Sequence, residues 1–208
     1  PLIAFNQVNS TYTLKILGVV QDGGLPHLGS DRICCEDFEQ NRYVTSIMLI
    51  NNETNESYLF DASPDINKQL NFMGKGIKKN LKGIFLTHAH IGHYTGLMYF
   101  GREALNSKLM NVYAMPRMKK FLEQNGPWSQ LVSLQNISIT ELSNNSMIQI
   151  DSSVCFSSCG CDVDGMTCVV HMWFWVREEN VASAVVLLWM GGLRQGRWRL
   201  EGKEYRHI

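Results

Sequence analysis

Three of the six histidines of this chain lie within six positions, directly after an apolar run at residues 83–86. They are His88, His90 and His93. A strand that ends in a loop carrying His-x-His-x-x-His presents several imidazoles from one short segment of backbone, and neutral imidazole is a common zinc ligand. The spacing therefore predicts a metal site, with these three histidines as its candidate ligands.

The order of the motifs resembles that of the metallo-β-lactamase superfamily. The metal-binding signature of that superfamily reads Thr-His-x-His-x-Asp-His and is often followed by a glycine, and the corresponding segment here runs from Thr87 to Gly96. Residues 17–26 and 59–65 precede it in an order that is similar to the branch including coenzyme PQQ synthesis protein B. The resemblance covers about residues 13–158, and the C-terminal part does not match.

This resemblance implies a mixed α/β (α+β) fold, the metallo-β-lactamase-like αββα sandwich. Its first half is recognisable in the sequence, and its second half is incomplete or atypical. The resemblance also implies that Asp61 or Asp65, in a turn bordering the histidine loop, orients a histidine or a reacting water. Strands and helices alternate along residues 13–150, with hairpins between them, which independently favours a mixed sheet covered by helices.

Gly92 occupies the position of the signature's Asp, which in two-metal members of the superfamily is a ligand of the second metal. The substitution leaves His88 and His90 as ligands of a first metal and His93 as a lone candidate for a second. The sequence therefore predicts at most about one Zn²⁺ per chain. A carboxylate from another segment, Asp22 or Asp65, remains an alternative for the missing ligand.

A third histidine ligand is expected in a Pro-His-Arg-like stretch after a later strand, and the sequence has no such stretch. His171 is the candidate by position. Its neighbours are typical of an apolar strand and include no turn that would direct an imidazole toward a metal. This pattern favours a residue within an apolar segment over a ligand.

The character of the chain changes after residue 158, where the order of motifs no longer matches the family. We therefore divide the chain into a metallo-β-lactamase-like domain, residues 1–158, and an atypical segment, residues 159–208, which we expect to be loosely packed. The apolar run at 181–190 is too short to span a bilayer.

Six cysteines raise a second possibility for metal binding. Four of them could form a zinc cluster with His171, but Cys-x2-Cys pairs are absent, so unpaired thiols are the stronger interpretation. The adjacent pair favours two small thiols over a structural metal site. The two groups are Cys155, Cys159, Cys161 and Cys168, and Cys34 and Cys35.

The composition limits the classes of partner. A chain of 208 residues, 45% hydrophobic and 18% charged, is long enough for one domain with a substantial core. Its formal net charge of zero gives no reason to expect nucleic acid or an anionic membrane as partner, and a small-molecule substrate is expected instead. Residues 1–6 lack the features of an export signal, which predicts a cytoplasmic location. The sequence does not determine the oligomeric state.

Two functions follow from these observations. The first is a metal-dependent hydrolase that acts on an unidentified small molecule through a zinc-activated water. The second is a truncated or catalytically inactive relative that acts as a binding protein. The Thr-His-x-His motif favours the enzyme, whereas Gly92 and the unmatched C-terminal third favour the binding protein.

Overall fold

The computed structural model describes most of the chain, in several stretches: residues 11–31, 42–143, 146–150, 154–163, 167–178, 181–187, 197–200 and 203–206. Cys34 and Cys35, the adjacent pair of cysteines, lie outside the described residues. Within the described stretches, no helix combines the length and the apolar character that crossing a membrane requires.

A six-stranded sheet carries the histidine loop at the end of its fourth strand. The strands are β1 (Tyr12–Gly18), β2 (Ser46–Asn51), β3 (Ser57–Phe60), β4 (Leu81–Phe85), β5 (Met110–Ala114) and β6 (Ile137–Glu141), in that order across the sheet. The first three strands pair antiparallel, and β3 to β6 pair parallel. Because parallel neighbours need crossover connections, helical segments follow β3, β4 and β5.

The helical segments are short. They are α1 (Ile66–Gln69), α2 (Ile77–Asn80), α3 (Pro116–Gln124) and α4 (Trp128–Ser133), with 3-10 turns at Asn71–Gly76, Ile91–His93 and Thr95–Phe100. Pro116 begins α3, as the sequence predicts, because proline has the φ of a first helical turn and needs no hydrogen-bond partner there.

The apolar pattern of residues 93–105 predicts a helix, and this prediction is wrong. This segment forms 3-10 turns, in which Leu97 N donates to Tyr94 O and Gly101 N donates to Met98 O, each three residues earlier. At Gly96 a tertiary bond takes the place of a helical one, because Gly96 N donates to Ala62 O at 2.8 Å. The segment is therefore fixed against the turn after β3 and does not continue as a regular helix.

A second sheet follows β6. Its strands, in the order β10-β9-β8-β7, are β7 (Ser146–Gln149), β8 (Val154–Val163), β9 (Thr167–Glu178) and β10 (Val181–Leu187), and all neighbours pair antiparallel. Two further strands, β11 (Arg197–Leu200) and β12 (Lys203–Arg206), pair with each other.

The sequence pattern also predicts a hairpin of residues 137–142 with 147–150, and this is wrong. β6 pairs with β5 in the first sheet, whereas β7 pairs with β8 in the second. Leu142 N donates to Ala114 O at 2.8 Å, so the chain stays on the first sheet to that point before it crosses to the second. The strands on either side of the polar residues 143–145 therefore belong to different sheets.

Both faces of the first sheet are covered. On one face the helical segments enclose the main core, whose fully buried side chains include Leu59, Ile84, Leu97, Phe100, Val112 and Leu122. On the other face Phe60 and Phe85 pack with Val154 of β8. The arrangement of helices, sheet and second sheet is the mixed α/β sandwich that the resemblance implies.

β8 extends across residue 158 to Val163 and pairs with β9 over its whole length. Regular structure therefore continues beyond residue 158. His171 lies on β9, opposite Cys159 of β8 in the register of that pair. The division of the chain at residue 158 stays a prediction.

Candidate metal centre

The turn after β3 places a carboxylate beneath the histidine loop. Asp61 has a φ of 64°, in the left-handed region that Asp tolerates better than most residues, and its backbone N donates to Phe85 O at 2.9 Å. Its Oδ1 accepts a bond of 2.8 Å from Thr87 N. Its Oδ2 accepts bonds of 2.7 Å from Thr87 Oγ1 and 2.6 Å from His93 Nδ1.

These bonds define which ring nitrogens are free to bind a metal. Because the Thr87 hydroxyl donates to Asp61, its oxygen is left to accept from His88 Nδ1, 2.8 Å away. His93 Nδ1 also donates to Asp61. A proton on Nδ1 of a neutral imidazole leaves a lone pair on Nε2, so His88 presents Nε2 as a ligand atom. In His93, Nε2 is the ring nitrogen that can bind a metal once a cation displaces its proton.

The candidate ligand atoms converge. His88 Nε2 lies 3.1 Å from His90 Nδ1, and the ligand atoms of buried Asp61, His88 and His93 all lie within 4.8 Å of one another. The His90 side chain is 51% exposed, whereas that of His93 is 3% exposed. The structure therefore brings the three histidines to one site that is open to solvent on the His90 side and could hold a metal ion.

Gly96, the glycine of the signature, allows the loop to pack closely against the turn that holds Asp61. Ala62 N donates to His93 O at 2.9 Å, and Ala62 O accepts from Gly96 N. A Cβ on Gly96 would collide with Ser63 O and would lie 2.8 Å from Ala62 O. A side chain here would displace the backbone on which the site is built.

Asp22, in the turn after β1, is the second carboxylate at the site. Its Oδ1 lies 3.2 Å from His93 Nε2, and its Oδ2 lies 3.9 Å from His90 Nδ1. Asp65 is placed differently, because its Oδ2 accepts a bond of 3.1 Å from Val44 N. Of the two carboxylates considered as substitutes for the missing ligand, the structure brings Asp22 to the histidines.

The environment sets the charge of the two buried histidines. Burial, reinforced by repulsion from His93, lowers the pKa of His88 from 6.5 to about 4, so its imidazole is neutral at pH 7. Burial alone would also lower the pKa of His93. The hydrogen bond and the charge of Asp61, supported by Asp22, outweigh it and raise that pKa above its ordinary value. Neutral His88 is in the protonation state that binds metals.

A cavity of about 240 Å³ adjoins the site on the Asp22 side. Its lining includes Asp22 and Asp65 together with the cationic residues Arg42 and Lys68. The cavity therefore offers polar contacts of both signs beside Asp22. The sequence indicated the three histidines, but it gave no role to Thr87, whose hydroxyl joins Asp61 to His88.

A model of the family described as "Beta-lactamase superfamily domain" matches residues 56–164, which is more than half of the chain. The chain therefore belongs to the metallo-β-lactamase superfamily, and the resemblance carried by the histidine motif is confirmed. The matched segment contains Asp61, the histidine loop and the strands through β8. No curated protein matches the chain.

Solved structures share the fold. Zinc-bound PqqB from Methylobacterium extorquens has a TM-score of 0.65 at 17% identity, over 83% of this chain and 61% of that one. A diphosphatase from the PhnP family has a TM-score of 0.60 at 22% identity, over 79% of this chain and 62% of that one. The short form of human tRNase Z has a TM-score of 0.53 at 16% identity, over 84% of this chain and 67% of that one.

The chain thus spans about three fifths of the length of the first two structures, 61% and 62%. Their likeness confirms the mixed α/β sandwich and its similarity to PqqB. Together with the convergent Asp and His side chains, it supports a metal site.

Proposed function

We propose that this protein is a metal-dependent hydrolase that acts on a small molecule and uses a Zn²⁺ ion bound by His88 and His90. The observation that carries the proposal is the pair of ligand atoms His88 Nε2 and His90 Nδ1, 3.1 Å apart. With bonds of about 2.0–2.1 Å, two nitrogen ligands of a tetrahedral zinc lie roughly 3.3 Å apart. The pair fits a shared ion without rearrangement of the loop.

The chemistry of the donor set also fits zinc, because neutral imidazoles oriented by a carboxylate are ligands that zinc prefers. A bound zinc ion supplies Lewis acidity that activates water for attack on an ester or phosphodiester. The residues of this chain hold the ligands in place. Asp61 and Thr87 keep the proton of His88 on Nδ1, and the burial of His88 keeps that ring neutral.

The cavity beside Asp22 supports a small anionic substrate. Arg42 and Lys68 line it together with the carboxylates of Asp22 and Asp65, and the two cations would contact a phosphate or carboxylate group of a substrate held there. Two proteins of the same fold are named as a diphosphatase and a tRNase, which act on phosphate-containing substrates. We therefore propose small phosphodiesters as the first class to test, ahead of carboxylic esters and lactams.

The test is a hydrolysis assay with bis(p-nitrophenyl) phosphate, p-nitrophenyl acetate and a chromogenic cephalosporin. We expect turnover of the phosphodiester that dipicolinate abolishes and added Zn²⁺ restores. His88→Ala and His90→Ala should lose both zinc and turnover. His171 lies on β9 of the second sheet, so His171→Ala should keep both. Turnover that survives complete removal of zinc would contradict the proposal.

The alternative function is a catalytically inactive relative that acts as a binding protein. The observation that favours it is Gly92 in place of the signature's Asp. A protein that retains zinc through His88 and His90 but hydrolyses none of the three substrates would support this alternative.

A further inference from the structure

We propose that Asp22 supplies the carboxylate that the metal-binding signature lacks at position 92, and that Asp22 and His93 together form a second cation position beside the first. The inference rests on the proposed function, because the first ion is the one at His88 and His90. It adds a ligand from the turn after β1, which lies outside the histidine loop and outside the segment that the family model matches.

The first observation is that Asp22 fills the space that a side chain at position 92 would need. A Cβ on Gly92 would lie 2.7 Å from Asp22 Cβ and 2.8 Å from both Asp22 Cα and Cγ. These separations are far below contact distance, so Asp22 in its present place and any side chain at position 92 exclude each other. Gly92 therefore leaves room for Asp22, whose side chain occupies the space that a side chain at position 92 would need.

The second observation is that the ligand atoms form two pairs. His88 Nε2 and His90 Nδ1 lie 3.1 Å apart, and His93 Nε2 and Asp22 Oδ1 lie 3.2 Å apart. Both separations are close to the roughly 3.3 Å expected between two ligands of one tetrahedral zinc. Both ring nitrogens of His93 face carboxylates, so a cation between Nε2 and Asp22 would take the place of the proton that Nε2 donates to Asp22.

The third observation is that Asp22 faces both pairs. While its Oδ1 approaches His93, its Oδ2 lies 3.9 Å from His90 Nδ1. Its side chain is 33% exposed, and Asp22 also lines the adjoining cavity. A carboxylate with an oxygen toward each pair is suited to accompany two neighbouring cations, because its negative charge offsets their repulsion.

The backbone holds Asp22 in this place. Val20, two residues earlier, forms an isolated bridge with Val44, and its carbonyl accepts bonds of 2.9 Å from both N and Oγ1 of Thr45. Gly24 N donates to Gln21 O at 2.9 Å and closes the turn around Asp22. The carboxylate is therefore held by the fold near the histidines, so little ordering would be needed on metal binding.

The expectation of a single ion rested on the lack of a carboxylate beside His93. Asp22 supplies one, so we now expect two divalent ions per chain. His93 and Asp22 carry the second position, and His88 and His90 carry the first.

The experiment is a titration of the metal-free 208-residue chain with Zn²⁺ by isothermal calorimetry, with the metal content after dialysis measured by elemental analysis. We expect two ions per chain for the wild type and one for Asp22→Asn, which keeps the shape of the side chain. Asp31→Asn, an exposed residue of the same connection, is the matched control and should keep two. Circular dichroism establishes that each variant is folded.

The double variant Asp22→Gly/Gly92→Asp moves the carboxylate to the position of the signature and tests the idea without relying on Asp22→Asn. We expect it to bind two ions again, and a single ion in this variant would overturn the proposal. Two ions in folded Asp22→Asn, or one ion in both wild type and Asp22→Asn, would overturn it as well and leave the proposed function intact. A wild type that binds no zinc would overturn both.

Discussion

His93 Nδ1 donates a hydrogen bond of 2.6 Å to Asp61 Oδ2, and both side chains are almost completely buried. The same carboxylate accepts from Thr87, whose oxygen accepts in turn from His88. One carboxylate therefore fixes the orientation and the tautomer of two histidines. This arrangement leaves Nε2 of each ring as the nitrogen that can bind a metal.

Replacing Asp61 by Asn should weaken zinc binding about 10- to 100-fold, the usual cost of removing a group that orients metal-binding histidines. An amide cannot accept from three donors as the carboxylate does. Asp65→Asn is the matched control in the same turn, since that carboxylate accepts from Val44 N, and we expect a zinc affinity close to that of the wild type. Competition with a fluorescent zinc chelator measures both affinities, and equal losses in the two variants would refute the role of Asp61.

Gly96→Ala should destabilise the protein by about 1–3 kcal/mol, as expected when a methyl group is forced into a packed region. The added Cβ would collide with the backbone oxygen of Ser63, which cannot move without disturbing the turn that holds Asp61. Gly76→Ala is the control, because the nearest atom there is the Asn80 side-chain nitrogen at 3.2 Å, and that side chain can move. Urea unfolding monitored by circular dichroism provides the comparison.

The metal-free protein should become less stable as the pH falls, because His88 is buried in its neutral form. The pKa of this residue falls from 6.5 to about 4 on folding, so below pH 6.5 the unfolded chain takes up a proton that the folded protein excludes. Between pH 7 and pH 5 this contribution is a loss of about 2 kcal/mol. His93 acts in the opposite sense, because its raised pKa stabilises the fold below 6.5 and this gain is lost as pH rises.

His88→Gln should remove the contribution of His88. We expect the free energy of unfolding of the variant, measured in urea with EDTA present, to change by about 2 kcal/mol less between pH 7 and pH 5 than that of the wild type. An unchanged pH dependence would show that His88 does not exclude protons as its burial indicates.

An aromatic cluster supports the histidine loop from the helical side. The Tyr94 ring, next to His93, lies 5.7 Å from Phe121 of α3 and 5.0 Å from Trp128 of α4, measured between ring centroids. Among the described residues, none accepts a hydrogen bond from Trp128 Nε1, which is buried. Trp128→Phe should therefore cost less than about 1.5 kcal/mol, whereas Trp128→Ala should cost about 3 kcal/mol. Thermal unfolding distinguishes the two.

Local patterns predicted much of the first sheet. The β2–β3 hairpin follows from two apolar runs around a polar turn, and the start of α3 follows from Pro116. The three histidines were found because they share one short loop. In each case the signal and the structure it specifies lie within a few residues of each other.

The predictions that failed depend on contacts between distant segments. Gly96 N bonds to Ala62 O, and this tertiary bond replaces the helix that the apolar pattern after His93 indicates. The residues between β6 and β7 are polar like those of a hairpin, but the two strands belong to different sheets. Asp22 could be selected over Asp65 only when the fold brought it against Gly92, 70 positions further along the chain.

The central claim is that His88 and His90 hold a zinc ion between them. The most direct measurement is anomalous X-ray diffraction at the zinc edge, from crystals of the protein grown with Zn²⁺. We expect a strong anomalous peak about 2.0–2.1 Å from both His88 Nε2 and His90 Nδ1, and no such peak in crystals of His88→Ala. A wild-type map with no anomalous density between these two nitrogens would contradict it.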